Sequence, residues 1–313
     1  MRLRTLGKTG IDISELCLGT WGLSGDGYGQ VDDVDQDEVI QRALALGITT
    51  FETADAYGKG AMESRLGRLL EPHPQAIVVT KIGTDRDASP PVKCFDADYL
   101  RQAATKSRER LKRPIDVLLL HNPSTVTFGK RHVAATMKAL VEDGTARCWG
   151  ASVGNGETGR RALEEGGQVL EVAYNAFNLQ DLRGVLALAR AKQVGLIGRS
   201  VLAHGLLCGQ WPSSKQFPRG DHRRDRWTPD DLRQRTSQLS ALRPAVGGDV
   251  TSLRAAALRF ALSESALSGI VLGPRSVVQL DQLVRDAGKE PPYLDDDTRR
   301  ALLSRLANVG ITP

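Results

Sequence analysis

The chain has 313 residues, 41% apolar and 25% charged, with 42 Lys and Arg against 37 Asp and Glu for a net charge of +5. Its length fits two ordinary domains or one large α/β barrel, and its apolar content allows a substantial core. No run of eighteen apolar residues is present, so no membrane-spanning helix is expected.

The opening MRLRTLGKTG lacks the apolar run of a signal peptide, which points to a cytoplasmic protein. The four cysteines, Cys17, Cys94, Cys148 and Cys208, are far apart, with no CxxC pair and no ligand-like spacing to histidine. Reduced thiols are expected and no metal site. A basic cluster, PRGDHRRDRW at 218–227, is interrupted by acids and lacks a nucleic-acid motif. A solvated loop is the simpler reading, and no nucleic-acid partner is expected.

In chain order, Leu3 to Thr5 and Ile11 to Ile13 flank the turn signal GKTG and form a hairpin. LCLGT (16–20) is a short apolar run. A helical pattern over 35–46 precedes a strand at 49–51, and a helix over 63–70 precedes the strand AIVVTK (76–81). A helix near 97–111 leads to IDVLLLH (115–121), and one over 133–142 to RCWGAS (147–152). Helices over 159–165, 182–192 and 253–262 precede VLEVAY (169–174), VGLIGRS (194–200) and SGIVLG (268–273). After the hairpin there are eight strands, several of them continuous apolar runs suited to burial on both faces. This alternation predicts a single-domain (β/α)8 TIM barrel over residues 1–313, with an N-terminal β-hairpin and a long loop after strand 7. The rival open dinucleotide fold requires GxGxxG after the first strand, where the chain reads LGTWGLSG. Residues 205–250 are too long for an ordinary connection. They read as a substrate-side loop or, alternatively, as a disordered insertion.

Polar residues gather where strands end. Glu52, Asp55 and Tyr57 follow the second strand, Lys81 the third, His121 and Asn122 the fourth, and Ser152 the fifth. In a barrel these ends share one rim. A buried lysine needs an acid, and Glu52 is the nearest candidate on an adjacent strand. An ammonium beside the Tyr57 phenol is expected to lower its pKa from about 10. A neutral histidine could orient a carbonyl oxygen, and the set suits hydride transfer to a carbonyl with tyrosine as proton donor. Each residue also has a plainer role: Lys81 solvated, His121 capping its strand, Tyr57 packing the rim, and Asp55 forming a turn or helix-cap bond.

Over nearly its whole length the chain resembles the aldo-keto reductases. The resemblance rests on RLRTLGKTGIDISELCLGTWG, FETADAYGKGAMESRLGRLL, VVTKIG, IDVLLLHNP, GASVGN, VAYNAFN, RSVLAHGLLCGQW and VLGPRSVVQL in this order. It implies a barrel that binds NADP(H) without a Rossmann motif, and a small-molecule carbonyl substrate. It also implies a catalytic set of Tyr57, Lys81, His121 and an acid five residues before the tyrosine. That acid is Glu52, where the family usually has aspartate. Toward the cofactor the resemblance implies Gly19, Thr20, Trp21 and Ser152, and Glu171 where glutamine is common. Arg199, Ser200, Leu202, Gly205 and Leu207 follow the seventh strand; Gly273, Arg275, Ser276 and Gln279 follow the last. Arg275 could pair with a 2′-phosphate, favouring NADP over NAD; its plainer reading is a surface arginine at a helix start. Trp21, Tyr28, Phe128, Trp211 and Trp227 are expected to line the substrate pocket. Two alternatives stay open: a cofactor-binding regulatory or partner subunit with little turnover, and a basic nucleic-acid-binding barrel.

Overall fold

The computed structural model describes residues 1–312. Eight parallel strands close into a barrel in sequence order. They are β1 (Leu16–Gly19), β2 (Thr50–Glu52), β3 (Ile77–Ile82), β4 (Ile115–His121), β5 (Ala146–Val153), β6 (Val169–Ala173), β7 (Gly195–Arg199) and β8 (Gly269–Leu272). The helices that follow them in turn are α1 (Asp33–Ala45), α2 (Ala61–Leu69), α3 (Ala97–Leu111), α4 (Arg131–Glu142), α5 (Gly156–Glu164), α6 (Gln180–Lys192), α7 (Leu253–Leu262) and α8 (Val277–Ala287). Side-chain caps start several of them. Asn155 accepts from Thr158 N at 2.9 Å, Ser252 from Ala255 N at 3.0 Å and Ser276 from Gln279 N at 3.3 Å. Each satisfies a backbone donor that the helix itself leaves open.

Two apolar layers form the core. Between strands and helices lies the larger one, which includes Leu18, Phe51, Val78, Leu118, Leu170 and Ala256. Inside the barrel is a smaller one built from Cys17, Val79, Val117, Leu119, Cys148, Val169 and Ile197. Leu6, Ile11 and Ile13 of the N-terminal hairpin (Leu3–Thr5 paired with Asp12–Ser14) join that inner layer. The hairpin lies against the start of β7: a Cβ on Gly195 would come within 2.5 Å of Leu6 Cγ. Apolar side chains therefore fill the lower interior and leave only the strands' carboxyl ends for polar groups.

The loop after β7 has secondary structure of its own, against the reading of a disordered insertion, and lies at the barrel's carboxyl-end face, where the substrate-side reading put it. It contains 3-10 turns at Ala203–Cys208, His222–Asp225 and Leu239–Ala245 and a helix at Pro229–Gln238. Thr228 opens that helix with a capping box to Asp231, and Pro229 follows at the first turn. A second unforeseen element is a small hairpin after β3, Thr84–Asp85 paired with Val92–Lys93. Short polar strands of this kind carry too little periodicity to be seen in sequence. All four cysteines are free, Cys17 and Cys148 buried and the other two partly exposed. Among the described residues, no helix is long and apolar enough to cross a membrane.

Candidate active site

Strand alternation sets the site. Successive side chains on a strand point to opposite faces, so Val79 in the inner layer places Lys81 above it, and Leu119 places His121. Cys148 likewise leads to Ser152, Val169 to Glu171 and Ile197 to Arg199. Register carries them round the rim: Gly19 opposes Glu52, Lys81 opposes Leu119, His121 opposes Ser152, and Ser152 opposes Glu171. The last inward residues thus share a cavity of about 700 Å³ with Tyr57.

Charges alternate along the floor of this cavity. Lys81, 1% exposed, forms an ion pair with Glu52, and its Nζ donates to Thr53 O at 2.9 Å. Glu171 stands 3.8 Å from Lys81 Nζ and 3.7 Å from Arg199 Nε, and Ser152 Oγ donates to it at 3.4 Å. Arg199 Nη2 also donates to Val153 O at 2.8 Å. Two buried acids and two cations therefore form one connected chain, as such charges must where water is scarce. Burial lowers Lys81 to about 8, with Glu171 opposing the fall and Arg199 adding to it.

Tyr57 does not follow the expectation. Its phenol is pushed up, first by burial and then by Glu171, with Arg199 opposing. The physical reason is visible: the Lys81 ammonium lies over the face of the tyrosine ring, 4.9 Å from its centroid, and donates to Glu52 and Thr53 instead. His121 meets the ring edge-on at 5.9 Å. Burial, then Lys81, Lys93 and Arg199, holds its imidazole well below the ordinary histidine value and therefore neutral. Asp55, two residues before Tyr57, is a separate acid. Burial and Glu63 raise it to about 7 against Arg110 and the backbone N–H groups of Gly83 and Ala56.

A family model described as the aldo/keto reductase family matches residues 15–299. The chain belongs to that family. It is an NAD(P)H-dependent oxidoreductase. Among curated relatives, pyridoxal 4-dehydrogenase from Microbacterium luteolum is 28% identical, covering 90% of this chain and 91% of its own. L-galactose dehydrogenase from Arabidopsis thaliana is 28% identical, covering 91% of this chain and 87% of its own. The solved glycerol dehydrogenase from Gluconobacter oxydans superposes with a TM-score of 0.83 at 23% identity, covering 99% and 97% of the two chains, and shows the shared fold.

In this aldo/keto reductase barrel most residues singled out in sequence lie on the cavity wall. Besides Tyr57 and the polar floor, Gly19, Trp21, Ser200, Leu202, Gly205, Gly273, Arg275 and Gln279 line it. Thr20, Leu207 and Ser276 are not on the wall. Thr20 is fully buried and its hydroxyl donates to Thr53 Oγ1 at 2.9 Å. Leu207 packs in the outer core, and Ser276 Oγ is occupied as the α8 cap. Of the aromatics, Trp21, Tyr28 and Trp211 line the cavity. Phe128 does not: the capped turn Thr125–Phe128 directs it into the core, 5% exposed. Trp227 sits behind Trp211, with ring centroids 5.9 Å apart.

The loop after β7 reaches across to the loop after β1. His222 N donates to Gly27 O at 2.9 Å, and Tyr28 Oη lies 3.2 Å from His204 Nδ1. The Trp21 and His222 rings pack at 4.6 Å, and the Arg223 guanidinium covers Tyr28 at 4.8 Å. His204, Arg223 and Arg226 from this strap, and Arg86 and Lys93 from the small hairpin, line the cavity and were missed in sequence. The only sequence signal was the unusual length and basic character of the loop.

Proposed function

We propose that the protein is an NADPH-dependent carbonyl reductase, a single barrel domain that converts an aldehyde or ketone to its alcohol with Tyr57 as general acid. The observation that carries this reading is the convergence of Tyr57, His121 and the Glu52–Lys81 ion pair on one cavity. The cavity suits a dinucleotide. Its volume is in the usual range for cofactor sites, and Glu171 Oε2 is buried there with no hydrogen-bond partner, an acceptor suited to a carboxamide N–H. Ser152, Glu171 and Arg199 would hold the nicotinamide end. Gly273, Arg275 and Gln279 would hold the phosphate end, and Arg275, whose guanidinium among the described residues bonds only the Gly29 and Gln30 carbonyls, supports a 2′-phosphate and hence NADP.

When bound, NADPH supplies the hydride. The neutral His121 imidazole hydrogen-bonds the carbonyl oxygen and orients it. Tyr57, kept protonated by burial, donates its phenolic proton to the oxygen as negative charge develops. Lys81, held by Glu52 with its ammonium 4.9 Å from the ring centroid, would offset part of the charge of the phenolate left behind. The apolar lower barrel and the strap limit water at the reacting atoms.

The test is NADPH oxidation with a panel of aldehydes and ketones, comparing wild type with Tyr57→Phe. Loss of at least about a hundredfold in kcat, with cofactor binding kept, is the expected result. A second reading, a cofactor-binding regulatory subunit, draws on one observation: Lys81 is engaged by Glu52 and Thr53 and the phenol is raised. NADPH binding by a wild type that reduces nothing would favour it.

A further inference from the structure

The cavity carries more positive charge than its chemistry requires. Its three carboxylates are already matched: Asp26 with Arg86, Glu52 with Lys81 and Glu171 with Arg199. Arg223 and Arg254 pair with Asp221 and Asp286 outside it. Among the described residues, Lys93, Arg226 and Arg275 line the cavity with no carboxylate within ion-pair distance. Arg275 lies at the end beyond β8, where the cofactor phosphates belong. Arg226 belongs to the strap, where its charge weighs against protonation of the neighbouring His204 and His222.

Lys93 stands on the reacting side. Its Nζ donates to the carbonyl of His121 at 2.7 Å and to Thr84 Oγ1 at 2.6 Å, which fixes the ammonium at the rim beside the residue that orients the substrate. Two of its three N–H groups are used, so one remains for a ligand. On the same hairpin, Arg86 gives one nitrogen to Asp26 at 2.9 Å, while its Nε is buried without a partner. Cations with spare donors at a cavity mouth attract and hold anions.

We propose that the hairpin Thr84–Lys93 is an anion subsite, with Lys93 as the main contact and Arg86 beside it, so that the carbonyl substrate carries a carboxylate or phosphate. This rests on the reductase reading and narrows its substrate class.

The experiment uses three aldehydes on one ring: benzaldehyde, 4-carboxybenzaldehyde and 4-formylphenyl phosphate. Steady-state kinetics are compared for wild type, Lys93→Ala and Lys93→Arg, and equilibrium binding to the NADPH complex is followed by tryptophan fluorescence. Wild type should favour one or both anionic aldehydes over benzaldehyde by tenfold or more in kcat/KM, mainly through KM, and less so at high salt. Lys93→Ala should cut that ratio at least tenfold and Lys93→Arg should keep it. The better of the two anions identifies which group the subsite takes. Equal handling of all three by wild type, or an undiminished ratio in Lys93→Ala, overturns the proposal. If wild type reduces none of them, the reductase reading fails, and binding decides the subsite: a Lys93-dependent preference for the anions upholds it, and no preference overturns it.

Discussion

Gly19 and Glu52 oppose each other on neighbouring strands, and a Cβ added to Gly19 would stand 2.9 Å from Glu52 Oε2 and 2.5 Å from Val271 Cγ1. The glycine leaves the space into which the longer acid reaches, and so Glu52 keeps its ion pair with Lys81 despite the extra methylene. Gly19→Ala should therefore displace Glu52 or β8. The expected cost is about 1–3 kcal/mol of stability, as for overpacking elsewhere, with a fall in kcat. Thermal denaturation and steady-state kinetics check both.

Glu52→Gln removes one counter-ion from a lysine that is almost fully buried. Leaving a buried charge short of its partner typically costs about 3–5 kcal/mol; Glu171, 3.8 Å away, should reduce that loss. Glu52→Asp keeps the charge but shortens its reach. It should fold normally and lose up to about a hundredfold in kcat if Lys81 shifts by about 1 Å. Chemical denaturation separates the two substitutions from each other, and kcat separates both from wild type.

Glu171 and Arg199 should be coupled. Replacing either one alone, by Gln and by Met, strands its partner, whereas replacing both removes the mismatch. A double-mutant cycle on unfolding should give an interaction of about 0.5–3 kcal/mol. A value near zero would show that the 3.7 Å approach contributes nothing.

Asp55 makes stability depend on pH. Its carboxyl is raised from 3.8 to about 7 in the folded protein, so the folded state binds more protons than the unfolded state between those values. Stability is then greatest below the unfolded pKa and is lost as pH rises through about 7. The melting temperature of wild type should fall across that window beyond what Asp55→Asn shows. Parallel curves for the two proteins would count against the assignment.

His121 should stay neutral throughout the working range, because burial and three neighbouring cations hold it well below the usual histidine value. Its ring proton resonances should not titrate between about pH 5.5 and 7.5, the interval in which an ordinary histidine with a pKa of about 6.5 does.

Much of this protein was legible in its sequence because strand physics is local. Alternation with a period of two forces Val79 and Lys81, or Leu119 and His121, onto the same face. Eight buried strands with helices between them leave few architectures open. Tyr57, Lys81, His121 and Glu52 could therefore be named before any coordinates.

What tertiary structure decided depends on distances between elements remote in the chain. The spacing of Glu52, Asp55 and Tyr57 could not show that Lys81, paired with Glu52 as expected, would also donate to Thr53 and lie over the face of the ring, leaving the phenol raised rather than lowered. Nor could it show Glu171 between two cations, Phe128 turned into the core, or Lys93 brought back to His121 by a short hairpin. Ionisation and loop position are set by burial and by contacts across the barrel. A linear pattern records which side chains are available, while the folded packing decides which of them meet and how much water remains between them.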